Sequence, residues 1–140
     1  MSAEENKAIS RWYYEQVWNQ GNTVLLDELM VFNHKHHAPL APVLGVQEFK
    51  EYVTFYRQAF PDFHLTLEDQ VAEGDKVVDR WTMRGTHRGE LMGIPATGKQ
   101  IVMTGISITR IAGGKLQETW ADFDLLGMLQ QLSLFHLAKG

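Results

Sequence analysis

The chain has 140 residues, near the commonest size of a single domain, and predicts one domain over residues 1–140. Its content of 44% hydrophobic and 21% charged residues excludes disordered, collagen-like and coiled-coil proteins. The absence of cysteine excludes disulfides, thiolate metal sites and a cysteine nucleophile. A formal net charge of -4 without a basic run gives no electrostatic footprint for nucleic acid.

The first ten residues, MSAEENKAIS, are polar and acidic. They lack the basic start and apolar stretch of a signal peptide. No apolar run approaches the roughly 20 residues that span a bilayer. We therefore expect a cytoplasmic protein without a membrane partner.

The first half of the chain predicts three helices. Ser2 and Glu5 have the spacing of a capping box, and an apolar helical face follows at Ile9, Trp12, Tyr13, Gln16 and Val17. A short helix comes after Gly21, and a third begins after Gly45 and stops at residues 61–62. Two prolines and a glycine predict an irregular segment over residues 31–45.

The second half predicts antiparallel strands. Alternation begins at residues 63–68 and continues over 76–87, where one face holds Val77, Asp79, Trp81, Met83, Gly85 and His87. Residues 100–111 are rich in β-branched side chains, and the glycines at 113–114 signal a hairpin into a strand over 115–123. A last helix lies near 125–132. Helices segregated from a meander of strands indicate the α+β class.

Several motifs in a fixed order resemble the SnoaL-like polyketide cyclases, also called predicted ester cyclases, of the NTF2-like superfamily. They are VWNQGN at 17–22, AFPD at 59–62, GDKVV at 74–78, GTHRG at 85–89, GIPATGK at 93–99 and ETWADFDLLG at 118–127. The resemblance runs from residue 17 to residue 132. It implies a cone, in which N-terminal helices pack on a strongly curved, mainly antiparallel sheet that encloses a pocket.

The same resemblance implies an activity. Such enzymes bind a small-molecule substrate and close a ring of an aromatic polyketide methyl ester by aldol chemistry. They use no metal or organic cofactor, and an aspartate serves as acid and base. Members often form homodimers or larger homo-oligomers through the outer face of the sheet.

An aspartate near the last strand is the first catalytic candidate. Asp124 matches the family pattern Trp-x-x-x-Asp-x-x-Gly, and strand alternation places it on the same side as Leu116 and Trp120. A carboxyl group facing an apolar cavity would have a raised pKa, as proton transfer requires. Asp122 shares that side and is the competitor. The alternative is that Asp124 is the N-cap of the last helix.

Histidines form the second set of candidates. The resemblance places a histidine near the pocket, which makes His37 a candidate hydrogen-bond donor, while we expect His34 and His36 to be exposed. We expect no metal site, because neighbouring prolines argue against a helix that would align these rings. His87 is assigned to orienting its loop. Asp79 is unusual, because an inward carboxylate on an apolar face is costly unless it is paired or protonated. The alternative is that this whole face of the strand is the outer one.

Large apolar side chains are the candidates for contacting substrate. The set comprises Trp12, Tyr13, Tyr56, Trp81, Met83, Met103 and Trp120. Ser107 and Thr109 share strand alternation with Met103 and would add polar contacts. Aromatic residues at such spacing usually form core, but in a cone the core and the pocket wall are continuous.

Three functions remain open at this level. The first is a cofactor-independent cyclase acting on a small apolar or aromatic carbonyl compound. The second is a non-catalytic module that binds a small ligand or takes part in assembly. The third is an epoxide hydrolase or isomerase, for which Asp79, Asp122 and Arg80 supply the residue types.

Overall fold

A computed structural model describes residues 2–132 of the chain. The helices are α1 Ala3–Tyr13, α2 Leu26–Leu29, α3 Val46–Ala59 and α4 Leu125–Gln131. A π-helical segment, Tyr14–Asn19, continues α1, and a 3-10 turn, Thr23–Leu25, precedes α2. The strands are β1 Met30–His37, β2 His64–Glu73, β3 Lys76–Thr86, β4 Gln100–Ala112 and β5 Lys115–Phe123. No helix in this range is long and apolar enough to cross a membrane.

The strands form one sheet in the order β1-β5-β4-β3-β2. β1 runs parallel to β5, and the other neighbours are antiparallel. The predicted α+β class with a mainly antiparallel sheet is confirmed. The irregular segment predicted over residues 31–45 is wrong in its first half, since β1 reaches His37 and the first proline follows only at Pro39.

The helices begin where the sequence predicts. Ser2 Oγ accepts a hydrogen bond from the Glu5 amide at 3.1 Å, and Glu5 Oε1 accepts one from the Ser2 amide at 3.1 Å. This capping box satisfies two amides that the first turn leaves unpaired. α3 begins after Gly45 and ends at Ala59, before the proline.

The core lies between the helices and one face of the sheet, here called the inner face. On β4, Ile101, Met103, Gly105, Ser107 and Thr109 are buried, while the residues between them are exposed or half-exposed. Gly105 lies directly against the Trp81 ring, where a Cβ atom would stand 2.3 Å from a ring carbon. A glycine at this position therefore lets Trp81 lie flat on the inner face.

Candidate active site

An apolar cavity lies between the inner face and the helices. Its lining residues are Tyr13, Tyr14, Trp18, His36, Tyr52, Tyr56, Phe63, Leu65, Trp81, Met103, Ser107, Ala121 and Phe123. Nine of these thirteen side chains are aromatic rings, counting histidine. The cavity volume is about 40 Å³, which is room for roughly two or three waters.

His36 is the least satisfied polar group on this wall. The side chain is only 4% exposed, and Nδ1 is buried without a hydrogen-bond partner among residues 2–132. Its ring packs on Phe49 with centroids 4.4 Å apart. Burial, with smaller contributions from His34 and His37, lowers the pKa of His36 to about 3. The imidazole is therefore neutral at physiological pH.

Four tyrosines supply the other titratable groups of the wall. Burial raises the pKa of Tyr13, Tyr14, Tyr52 and Tyr56 above the usual value for a phenol. All four therefore keep their protons at neutral pH. Tyr13 Oη accepts a hydrogen bond from Trp18 Nε1 at 3.0 Å, which leaves the Tyr13 proton available to an acceptor in the cavity.

The π-helical segment places two of these aromatic side chains. Tyr14 follows Tyr13 directly, and both are buried, as are Val17 and Trp18 one turn later. Adjacent helix positions point in directions about 100° apart, so a standard helix seldom buries two neighbouring tyrosines equally. The wider π turn brings Tyr14 and Trp18 to the cavity beside Tyr13.

Asp79 lies behind the cavity and is fully buried on the inner face. Its Oδ2 accepts a hydrogen bond from Ser10 Oγ at 2.6 Å, and its Oδ1 accepts one from Gln70 Nε2 at 2.7 Å. Burial raises the pKa of Asp79, and the two donors oppose that shift. The carboxylate is also close enough to Tyr14 to raise its pKa. Of the two possibilities that the sequence left open, the structure shows the inward one, with the Asp79 carboxylate paired to two donors.

The two aspartates favoured from sequence do not reach the cavity. Asp122 and Asp124 are exposed, and Asp124 is the N-cap of α4, its Oδ1 accepting a hydrogen bond from the Gly127 amide at 2.9 Å. The expectation that they face the same side as Leu116 is wrong. The register of β5 shifts at Gln117, so alternation restarts and Thr119, Ala121 and Phe123 point inward instead.

His37 also lies outside the cavity. Its Nε2 pairs with Glu118 Oε2 at 2.7 Å, and its ring stacks on Trp120 with centroids 5.5 Å apart. The expected exposure of His34 and His36 is wrong, because β1 alternation turns both rings inward. His34 Nε2 contacts Thr119 Oγ1 at 3.3 Å, and burial lowers the pKa of His34 to about 4.

The proposed substrate-contacting residues divide into two groups. Tyr13, Tyr56, Trp81 and Met103 line the cavity. Trp12, on α1, is 52% exposed, and Trp120, on the outer face of the sheet, is 40% exposed, so neither reaches the cavity. Met83 is fully buried but belongs to the core rather than to the cavity wall.

Sequence reasoning missed Tyr14 and His36 as members of the wall. The signal for His36 was the alternation of His34, Lys35 and His36, typical of a strand with one buried face. His87, assigned to orienting its loop, does so: its Nδ1 accepts a hydrogen bond from the Thr97 amide at 3.2 Å.

The described residues offer no group of three or more histidine or carboxylate side chains that could hold a metal.

The residues named for the epoxide hydrolase alternative do not lie together. Asp79 is buried on the inner face and Asp122 is exposed, so the two carboxylates lie on opposite faces of the sheet. The cavity therefore offers neutral donors and one unpaired imidazole.

Comparison with known proteins gives a consistent set of relatives. The family described as SnoaL-like polyketide cyclase matches residues 8–132. Aklanonic acid methyl ester cyclase DnrD of Streptomyces peucetius is 33% identical over 91 residues, covering 63% of this chain and 61% of its own length. Aklanonic acid methyl ester cyclase DauD of Streptomyces sp. strain C5 is 30% identical over 123 residues, covering 84% of this chain and 75% of its own length.

Solved structures agree with this assignment. A candidate polyketide cyclase from Acidithiobacillus ferrooxidans superposes with a TM-score of 0.84 at 34% identity, covering 95% of this chain and 98% of its own. IdmH, a candidate polyketide cyclase from Streptomyces antibioticus, gives a TM-score of 0.81 at 31% identity, covering 91% and 98%. The chain belongs to the SnoaL-like polyketide cyclase family.

Proposed function

We propose that the chain is a cofactor-independent acid/base enzyme that closes a ring of a carbonyl compound by intramolecular aldol addition. The observation that carries this proposal is the buried imidazole of His36, whose Nδ1 has no hydrogen-bond partner among residues 2–132, on the wall of an aromatic cavity. By similarity to DnrD and DauD, an aromatic polyketide methyl ester is the substrate class.

His36 takes the role of proton acceptor. A carbon flanked by carbonyl groups gives up a proton to a ring nitrogen of His36, and the electron pair of the C–H bond becomes an enolate. The low pKa of the empty site opposes this transfer, but an enolate formed beside the ring favours the imidazolium. The enolate carbon then attacks a second carbonyl of the same molecule, and the new alkoxide takes the proton back from His36.

The tyrosines take the role of donors. A buried phenol that keeps its proton can donate to the enolate oxygen without reorganising. Tyr13 and Tyr56 reach the cavity from α1 and α3, so the developing charge can be approached from two elements. Catalytic roles for Asp124, Asp122 and His37 stay predictions from the family resemblance, and their positions outside the cavity favour His36 over them.

The test is turnover of aklanonic acid methyl ester by the wild-type protein and by His36→Gln. Glutamine can still donate a hydrogen bond but cannot hold the proton. We expect the cyclised product from the wild type, followed by chromatography, and a loss of at least about 100-fold in kcat for the variant. Equal kcat values would exclude His36 as the proton acceptor.

A second candidate function is a module that binds a small ligand without converting it. The small cavity, and the absence of a carboxylate from its wall within residues 2–132, favour this alternative. A pure binder would hold the ligand with unchanged affinity in wild type and His36→Gln and would form no product from it.

We also propose a homodimer or larger homo-oligomer, as the resemblance implies. The surface available for it is the outer face of the sheet, where Val102, Ile106, Ile108 and Trp120 are exposed. Light scattering of the wild type and of Ile106→Lys tests this: the wild type should be larger than 16.0 kDa and the variant should dissociate.

A further inference from the structure

A second depression, here called the mouth groove, lies directly outside the cavity. Its lining residues are Pro39, Leu40, Ala41, Pro42, Leu44, Glu48, Glu51, Tyr52, Phe55, Tyr56 and Met92, and its volume is about 460 Å³. Tyr52 and Tyr56 line both the groove and the cavity. Their rings, with centroids 5.0 Å apart, therefore form the partition between the two spaces.

The groove wall exposes large apolar side chains. Leu40 is 86% exposed, Met92 is 44% exposed and Phe55 is 38% exposed. Leu40 belongs to the loop after β1, Phe55 to α3, and Met92 to the loop after β3. Three separate segments thus present apolar surface to one open space, which is typical of a ligand or partner site.

The backbone at the groove is strained at two of these positions. Leu40 has φ of 57° and Met92 has φ of 50°, and within residues 2–132 they are the two non-glycine residues with positive φ. Left-handed backbone costs a bulky side chain energy and concentrates at functional sites. Here the strained backbone presents Leu40 and Met92 to solvent in the groove whose wall also includes Tyr52 and Tyr56.

We propose that the mouth groove binds the apolar body of the substrate while its reacting carbonyl end enters the cavity, with the rings of Tyr52 and Tyr56 turned aside. This inference rests on the proposed function and extends it to the size and shape of the substrate. The cavity alone is too small for an aromatic polyketide, whereas the two spaces joined reach the roughly 300–1,000 Å³ of small-molecule sites.

The charged residues of the groove restrict the class of substrate that it can bind. Glu48 and Glu51 are its charged lining residues, and no lysine, arginine or histidine is among the residues that line it. A carboxylate on the apolar body would meet like charge without a cationic partner. The substrate body is therefore neutral, and an esterified carboxyl group on that body binds more tightly than the free carboxylate.

The test compares two β-keto ester probes with the same reacting end. Methyl benzoylacetate has one ring and offers the groove little apolar area, whereas an anthraquinone-bearing β-keto ester offers it much more. The variant is Leu40→Asn/Met92→Asn, because asparagine tolerates left-handed backbone and removes the apolar surface. The matched control is Val24→Asn, at an exposed valine that lines neither space.

We expect the double variant to weaken binding of the anthraquinone ester by at least about tenfold, measured by tryptophan fluorescence, since apolar contact area is lost. Binding of methyl benzoylacetate should stay within about twofold, and the control should bind both probes as the wild type does. In the wild type, an analogue of the larger probe with a carboxylate on the anthraquinone should bind more weakly than the same analogue with that carboxyl group esterified. If the double variant does not fold, Met92→Gly takes its place, since glycine adopts positive φ freely.

Several results would overturn the inference. Equal loss for both probes would show that the groove only supports the fold, and no loss for either would show that it does not contact substrate. A change of oligomeric state in the double variant would make the groove an interface between copies. Failure of the wild type to bind either probe would end both this inference and the proposed function. Unchanged binding of the anthraquinone ester by Leu40→Asn/Met92→Asn, together with lost turnover in His36→Gln, would end this inference alone and leave the proposed function standing.

Discussion

At the scale of single residues, His36 links the chemistry of the cavity to the stability of the fold. Its pKa falls from the usual 6.5 to about 3 on burial, and that of His34 falls to about 4. Below pH 6.5 the unfolded chain therefore binds more protons than the folded chain. The stability that these two buried, neutral histidines contribute is fully present above pH 6.5 and is lost as pH falls from there towards 3.

This linkage predicts the effect of His36→Gln on acid unfolding. Each depressed histidine contributes a slope of about 1.4 kcal/mol per pH unit inside its window. The variant should therefore lose about that much slope between pH 6 and pH 4, measured by denaturant unfolding. The exposed His64, changed to glutamine, is the control and should leave the slope as it is. A parallel curve for His36→Gln would mean that the ring is not buried as described.

Asp79 should have the opposite effect on how stability changes with pH. Its folded pKa is raised by burial, so the stability it contributes is present below its usual pKa and is lost as pH rises through the folded value. Asp79→Asn removes the ionising group and can keep the contacts with Ser10 and Gln70. We expect a Tm advantage over the wild type that grows from pH 4 to pH 7. The exposed Asp122, changed to asparagine, should give no such trend.

The sequence predicted some of these residues and not others, for a physical reason. Regular alternation over β3 groups Asp79 with Val77 and Trp81, but alternation alone did not say whether that face is the inner or the outer one. For His36 the only signal was the alternation with His34 and Lys35, which is too short to identify a strand because β1 has a register shift and is followed by Pro39. A short strand whose buried positions are histidines gives no hydrophobic signal.

At the scale of elements, a single extra residue decides which aspartates reach the cavity. The register of β5 against β4 shifts between Glu118 and Leu116, which leaves Gln117 unpaired. Side chains alternate with a period of two, so one such residue moves all later ones to the other face. A bulge leaves no reliable mark in one sequence, which is why strand alternation misplaced Asp122 and Asp124.

The start of α4 predicts the effect of substitutions at Asp124. Asp124→Ala removes the side chain that accepts from the Gly127 amide, and should lower the free energy of unfolding by about 1 kcal/mol. Asp124→Asn keeps an accepting oxygen and should stay within a few tenths of a kcal/mol of the wild type. Denaturant unfolding measures both. A loss in Asp124→Asn equal to that in Asp124→Ala would contradict the capping role.

The contact between β4 and β3 predicts the effect of a substitution at Gly105. A Cβ atom at residue 105 would overlap the ring of Trp81, whose Nε1 donates to Ser107 Oγ at 3.0 Å. Gly105→Ala should therefore push the Trp81 ring into the cavity and lower the free energy of unfolding by about 1–3 kcal/mol. Thr104→Ala, at an exposed neighbour on the same strand, is the control. Unchanged tryptophan fluorescence in Gly105→Ala would show that the ring is not displaced.

At the scale of the whole molecule, the order of elements was readable because turns and caps are local. The glycines at 113–114 and the capping box at Ser2 and Glu5 act within a few residues, and the structure has both where expected. The cavity wall depends instead on contacts between distant elements, such as His36 from β1 with Tyr52 and Phe49 from α3. Such contacts follow from register and packing, which no local pattern encodes.

The family could be predicted from local sequence motifs, whereas the mechanism depends on which side chains reach the cavity. The chain belongs to the SnoaL-like polyketide cyclase family, and the described wall of its cavity holds an imidazole and four phenols but no carboxylate. The proton transfer that we propose for His36 involves one proton on one carbon. It can be measured without ring closure, through exchange of that proton with solvent.

The most direct measurement is hydrogen–deuterium exchange at the activated carbon of a β-keto ester in D₂O, followed by NMR. The wild type and Asp124→Asn should both accelerate exchange over buffer, since Asp124 caps α4 outside the cavity. His36→Gln should exchange at the rate of buffer while still binding the ester. Full acceleration in His36→Gln, or its loss in Asp124→Asn, would contradict the assignment of the proton to His36.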